Sequence, residues 1–178
     1  MAKMRKALVL VSLLALALPA IGSIGTAPAI AGDDDKFTAR LSGYQVVPSI
    51  STTGRGHFRA KLTTPATLSF ELQYSNLEAP ALAPTSAELH FAQRGVNGGL
   101  IAVLCGPGAI APNPVVCPPQ PATLTGTITA AHVIGPALQG IAAGQFDELL
   151  KAMQADAVYV VVSTATYPGG EIRGQVDD

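Results

Sequence analysis

A chain of 178 residues with 11 basic and 12 acidic side chains, a formal net charge of −1, has the length of one domain. Beyond its first six residues it shows no basic cluster to meet a phosphate backbone, which excludes a dedicated nucleic-acid binder. Its 18 glycines and 14 prolines punctuate the chain into short elements.

The N-terminus sets the compartment. Lys3, Arg5 and Lys6 form a positive start, and residues 7–18 are apolar apart from one serine, ending at Pro19. Ala29-Ile30-Ala31 is a small-x-small site ahead of Gly32 and the run Asp33-Asp34-Asp35. Charge, a short apolar stretch and a small-residue site in that order make a secretory signal peptide. A spanning helix needs about 20 apolar residues, and Pro19 and Gly22 interrupt the run too early. The expectation is a signal peptide over residues 1–31, an acidic mature N-terminus over 32–36 and a folded domain over 37–176. With no cysteine near the cleavage region, a lipid anchor is not expected. Cleavage after Ala31 leaves eight basic against twelve acidic residues, a formal charge of about −4. The expected location is secreted or periplasmic, with no membrane span after cleavage.

From there the chain reads as β. In residues 37–47, Phe37, Ala39 and Leu41 alternate with Thr38, Arg40 and Ser42. Residues 57–62 place Phe58, Ala60 and Leu62 opposite His57, Arg59 and Lys61. Residues 67–74 place Leu68, Phe70, Leu72 and Tyr74 opposite Thr67, Ser69, Glu71 and Gln73. Period-two alternation marks strands with one wet face, and Thr64-Pro65-Ala66 is a hairpin break between the last two. Residues 87–91 and 100–105 form a further pair around a glycine-rich turn at 94–99, and residues 123–132 alternate again. Around residues 145–153 the period changes: Phe146, Leu149, Leu150 and Met153 follow helical spacing, with Asp147 and Glu148 in the first turn. Residues 158–162 are apolar on both faces, as in a central strand, and a Pro168-Gly169-Gly170 turn leads to a short return strand.

Cys105 and Cys117 bracket a Pro/Gly-rich stretch that can be neither a helix nor a central strand. In an oxidising compartment they are expected to bridge and close a surface loop, with a redox or metal pair as the alternative. Metal pairs are more closely spaced and bring further ligands. Short strands, Gly/Pro turns and one short helix argue for an all-β fold, an antiparallel Greek-key β-sandwich (immunoglobulin-like) or barrel.

Several segments together carry a family resemblance. Phe37-Thr38-Ala39-Arg40-Leu41-Ser42-Gly43-Tyr44 opens the series, followed by Leu68-Ser69-Phe70-Glu71-Leu72 and Ala87-Glu88-Leu89-His90 with the turn Arg94-Gly95-Val96-Asn97-Gly98. Leu124-Thr125-Gly126-Thr127-Ile128, Tyr159-Val160-Val161-Val162-Ser163 and Pro168-Gly169-Gly170-Glu171-Ile172-Arg173-Gly174 complete it. The chain resembles the CHRD domain, a module named for the extracellular protein chordin and found in bacterial exported proteins. The resemblance implies an exported binding or structural module. It also implies up to three histidines on neighbouring strands, an arrangement that a metal ion could use and that by fold-level analogy is similar to a Cu,Zn superoxide dismutase-like barrel. Here those positions hold Glu88, His90 and Ser163. At most one imidazole and one carboxylate are left, so Glu88 and His90 are the only metal candidates and no cofactor is expected.

The other polar candidates read as structural. His57 lies on a wet face between basic residues, and His132 lies near a strand end without a catalytic partner at motif spacing. No Gly-x-Ser-x-Gly elbow is present. Glu171 and Arg173 share one strand face, as an ion pair pinning the terminal hairpin or as a polar binding spot. The expected function is a non-enzymatic exported module binding an extracellular or cell-surface protein or glycan. The alternatives are a metal-binding or dismutase-like protein with a degraded histidine site, and a secreted structural domain with no specific ligand.

Overall fold

The protein is described by a computed structural model over residues 36–79 and 83–178. The expected signal peptide, its cleavage site and the acidic run at 33–35 lie outside the described residues, as do three residues of the Ala/Pro segment at 79–84. Apolar alternation becomes pleat in eight strands: β1 (Lys36–Ser42), β2 (Arg55–Thr64), β3 (Thr67–Ser75), β4 (Ser86–Phe91), β5 (Gly99–Cys105), β6 (Ala122–Ile128), β7 (Val158–Ser163) and β8 (Ile172–Gln175). One helix, α1 (Phe146–Gln154), precedes β7.

All eight strands join one antiparallel sheet in the order β5-β4-β7-β8-β1-β2-β3-β6, a nearly closed barrel. Of the sandwich and barrel forms expected, this single sheet is the barrel-like one. The connections from β3 to β4 and from β6 to β7 carry the chain across the sheet, the long returns of Greek-key topologies. Inward residues form one core, with Phe37, Phe58, Leu68, Leu72, Leu89 and Ile172 fully enclosed. Phe146, Leu149 and Met153 of α1 enter the same core, and Lys151 pairs with Glu148 on the wet side. β7 is buried along its whole length, as a strand between two neighbours should be.

The barrel's edges, β5 and β6, meet through a side chain. Buried Asn113, from the loop between them, donates to the Val103 carbonyl of β5 (3.4 Å) and accepts from Thr127 N–H of β6 (3.2 Å). Gly126 makes room for it, since a Cβ there would lie 2.4 Å from the Asn113 carboxamide oxygen. The expected Cys105–Cys117 disulfide is formed and fixes both ends of this loop. Tyr74, its phenol pushed up to about 12 by burial, donates to the Pro118 carbonyl just beyond. The Gln120 amide pairs with both backbone groups of Leu77. The expected surface loop is therefore also the clasp of the barrel.

Two expected strands are shorter than their patterns suggest: the segment at 37–47 ends as a strand at Ser42, where Gly43–Gln45 forms a 3-10 turn. The pattern at 123–132 ends as a strand at Ile128, and Ala130–His132 forms a 3-10 turn. Thr129 N–H donates to His132 Nδ1 at 3.1 Å, a cap that competes with sheet pairing. His132 is buried in that turn rather than placed at a strand end. With Nδ1 accepting, the ring proton sits on Nε2, which has no partner among the described residues.

Candidate functional site

The outer face of β4, β7 and β8 carries the motif residues. Strand register sets Glu88 opposite Val161 and His90 opposite Tyr159, and Val161 in turn opposite Arg173. This face is roofed by the segments 43–54 and 92–98. Asn97 joins the two by donating to the Val47 carbonyl at 3.0 Å, and Arg94 reaches Gln45 and Asp177. Beneath lies a cleft of about 250 Å³ lined by Glu88, His90, Tyr159, Ser163 and Arg173 among others. The three positions at which the family resemblance implies histidines therefore do converge on one cleft.

Within it His90, Glu88 and Arg173 are bonded to neighbouring protein groups. Tyr159 stands between two side chains from its neighbouring strands. The His90 ring stacks on it, centroids 5.1 Å apart, and the Arg173 guanidinium lies 3.6 Å from its centroid. Gly98 N–H donates to the Tyr159 hydroxyl at 3.2 Å. His90 has Nδ1 3.0 Å from the Gly98 carbonyl and Nε2 2.9 Å from Glu88 Oε2. Both neighbours are acceptors, and a ring nitrogen that carries a proton donates to the one it faces. The His90 hydrogen bond holds the Glu88 carboxyl below the usual glutamate value of 4.5, opposed by burial and helped by Ser86.

That shift has a testable sign. A depressed carboxyl contributes stability above its unfolded value and loses it as pH falls through the folded one. Glu88→Gln should therefore cost about 1 kcal/mol in mildly acidic buffer. Chemical unfolding across the acid range should show the difference from wild type vanishing as Glu88 itself becomes protonated.

Glu171 and Arg173 share a face as expected, but no ion pair joins them, and the face is not wet. Glu171 is 0% exposed. Its Oε1 accepts from Thr52 Oγ1 and Glu78 N–H, both at 2.7 Å, and its Oε2 accepts from Thr164 Oγ1 at 2.9 Å. Arg173, 2% exposed, donates to Asn97 Oδ1 (3.2 Å) and to the carbonyls of Val96 (2.8 Å) and Gln93 (3.4 Å). Burial pushes its pKa below the ordinary guanidinium value. Glu171 thus ties the β7–β8 hairpin to segments 52–54 and 76–79, and Arg173 ties it to the turn after β4. Gly170, at φ +117°, sits where a Cβ would strike Val161 Cγ2 at 2.6 Å. Pro168 and Gly169 line the cleft mouth, and Gly174 lies in β8 beside Arg40 of β1.

The donor set does not fit the copper or structural zinc site that the resemblance implies. Glu88 and His90 face each other rather than a common point, and Ser163 offers only a hydroxyl. Among the described residues no group of three or more His, Cys, Asp or Glu could hold a metal ion. Nor does Ser163 meet a base. It stands four residues along β7 from the partner of His90, roughly 13 Å at ~3.3 Å per residue. His57 lies on the opposite side of the sheet order, on β2. Sequence reasoning singled out the charged members of this cluster and missed Tyr159, Thr52, Thr164 and Asn97. Only the Tyr159 alternation with Val161 and Ser163 could have placed one of them on this face.

A family model for the CHRD domain matches residues 37–176, nearly the whole folded region. No curated protein and no solved structure gives a match.

Proposed function

The chain belongs to the CHRD domain family, and from that premise we propose that it is an exported, non-catalytic module that binds an extracellular or cell-surface partner. The observation that carries the reading is the mutual saturation of the motif cleft. The charged and imidazole groups there are spent on neighbours, His90 on Gly98 and Glu88 and Arg173 on the 93–97 turn, while the Tyr159 hydroxyl accepts from Gly98 N–H. Catalysis needs such groups aimed at a reacting atom, whereas these are aimed at the fold. The disulfide supports an oxidising compartment, in keeping with the signal-like N-terminus. Among the described residues no helix is long and apolar enough to cross a membrane.

Two measurements test the proposal. Mass spectrometry of the protein recovered from producing cells should give a mature start at Gly32 in the exported fraction. A Met1 start in the cytosolic fraction would contradict export. Zinc and copper titrations of the exported protein should show no stoichiometric site. Tight binding lost in His90→Ala, with superoxide dismutation scaling with bound metal, would replace the binding module with a metalloprotein.

A further inference from the structure

The sequence shows no basic run in the folded domain, but strand register assembles a basic face that spacing along the chain conceals. The outer face of β2 presents Arg55, His57, Arg59 and Lys61 at every second residue. Arg40 of β1 lies opposite His57. Four of the domain's permanent cations therefore share one surface, all exposed and none ion-paired among the described residues. Two carboxylates fall in the matching register: Glu71 of β3, opposite Arg59, and Asp177, which bridges Thr38 of β1 and is already paired with Arg94. The rest of the outer face of β3 and β6 is hydroxyl and amide: Ser69, Gln73, Thr123, Thr125 and Thr127. Two shallow grooves, of about 460 and 680 Å³, lie end to end on it, one beside Arg55 and His57, the other beside Arg59 and Lys61.

We infer that this face is a docking track for a linear acidic polysaccharide, with the arginines and lysine meeting its carboxylates or sulfates and the threonine and glutamine rungs meeting its hydroxyls. The inference rests on the exported-module reading and adds the site and the partner's chemistry. Shape argues for a linear polymer, because Arg55 to Lys61 spans roughly 20 Å at ~3.3 Å per residue. Charge argues for an anion: the face is positive on a domain whose net charge is negative, which focuses its field there. His57 gives an independent sign of that field, since burial first, then Arg59 and Arg40, lower its pKa, with Glu71 opposing. An anionic membrane fits less well. The exposed large apolar side chains of the described residues, such as Tyr44, Val116 and Leu138, lie elsewhere. Single-stranded nucleic acid also fits less well, because Phe58, Phe70 and Tyr74 of these strands point inward and leave no stacking platform.

The test is binding of the exported protein to polygalacturonate, beside neutral dextran, single-stranded DNA and phosphatidylglycerol vesicles. Polygalacturonate should bind with an affinity that falls as salt rises, and dextran should not bind. Arg55→Gln/Arg59→Gln/Lys61→Gln should weaken binding about tenfold or more. Glu71→Gln should tighten it by about threefold, a gain that misfolding cannot imitate. In NMR titrations, the polymer should move the His57 midpoint upward, reversing the effect of the arginines. Absence of polygalacturonate binding at low salt would overturn the inference. So would equal loss in the distant control Lys151→Gln, or tighter binding of DNA or vesicles. If the protein is exported and captures surface material through another face, this inference fails while the module reading stands.

Discussion

Replacing Glu171 by alanine should lower the unfolding free energy by about 3–4 kcal/mol, measured by chemical denaturation. The carboxylate is wholly enclosed and accepts from three donors on three separate segments, at Thr52, Glu78 and Thr164. Truncation removes the acceptor that all three share. The hydroxyls can turn, and Thr52 already accepts from Gly54 N–H, but the Glu78 amide, fixed in the loop after β3, cannot turn to another acceptor as a hydroxyl can. Glu171→Gln tests the charge separately. It keeps the volume but turns one acceptor oxygen into a donor facing a donor, and should cost about 1–2 kcal/mol. A change below about 0.5 kcal/mol in the alanine variant, the scale of an ordinary surface substitution, would show that Glu171 is not the structural tie described here.

The second large effect belongs to the disulfide. Cys105→Ala/Cys117→Ala should cost about 3 kcal/mol, the loop-closure contribution for a bridge of sequence separation 12. The consequence should reach beyond the loop, because Asn113 inside it links Val103 of β5 to Thr127 of β6. Once the loop ends are free, that carboxamide is less well placed. Asn113→Ala should therefore cost less in the disulfide-free protein than in wild type, a non-additivity of about 0.5 kcal/mol or more. Strict additivity would mean that Asn113 is held by its own contacts and that the bridge acts on the unfolded chain alone.

Much of the fold was legible. Alternation marked β1 to β3, the change of period marked α1, and the all-apolar run marked β7 as central. The disulfide followed from compartment and spacing. What alternation conveys is the side of the sheet a residue takes, not what lies over that side. Glu171 and Arg173 were placed on one face but were read as an ion pair or a polar binding spot, not as two separate buried ties. The long-range roof of segments 43–54 and 92–98, which no local pattern announces, buries them. The same limit explains His132, whose period-two position was overridden by a cap to Thr129. It also explains the basic face. Arg55, Arg59 and Lys61 look unremarkable when interleaved with apolar residues, and only the pairing of β1 with β2 adds Arg40 opposite His57.

The molecule thus divides its polar residues between two faces. The motif cleft on β4, β7 and β8 ties segments of the fold together, and the open face of β1, β2, β3 and β6 is the one we propose meets a partner. The most direct test measures unfolding free energy and polygalacturonate affinity together in Glu88→Gln and in Arg55→Gln/Arg59→Gln/Lys61→Gln. The account predicts that the cleft variant loses stability and keeps affinity, while the face variant keeps stability and loses affinity. The reverse pattern, with affinity lost from a folded cleft variant and retained by the face variant, would contradict it.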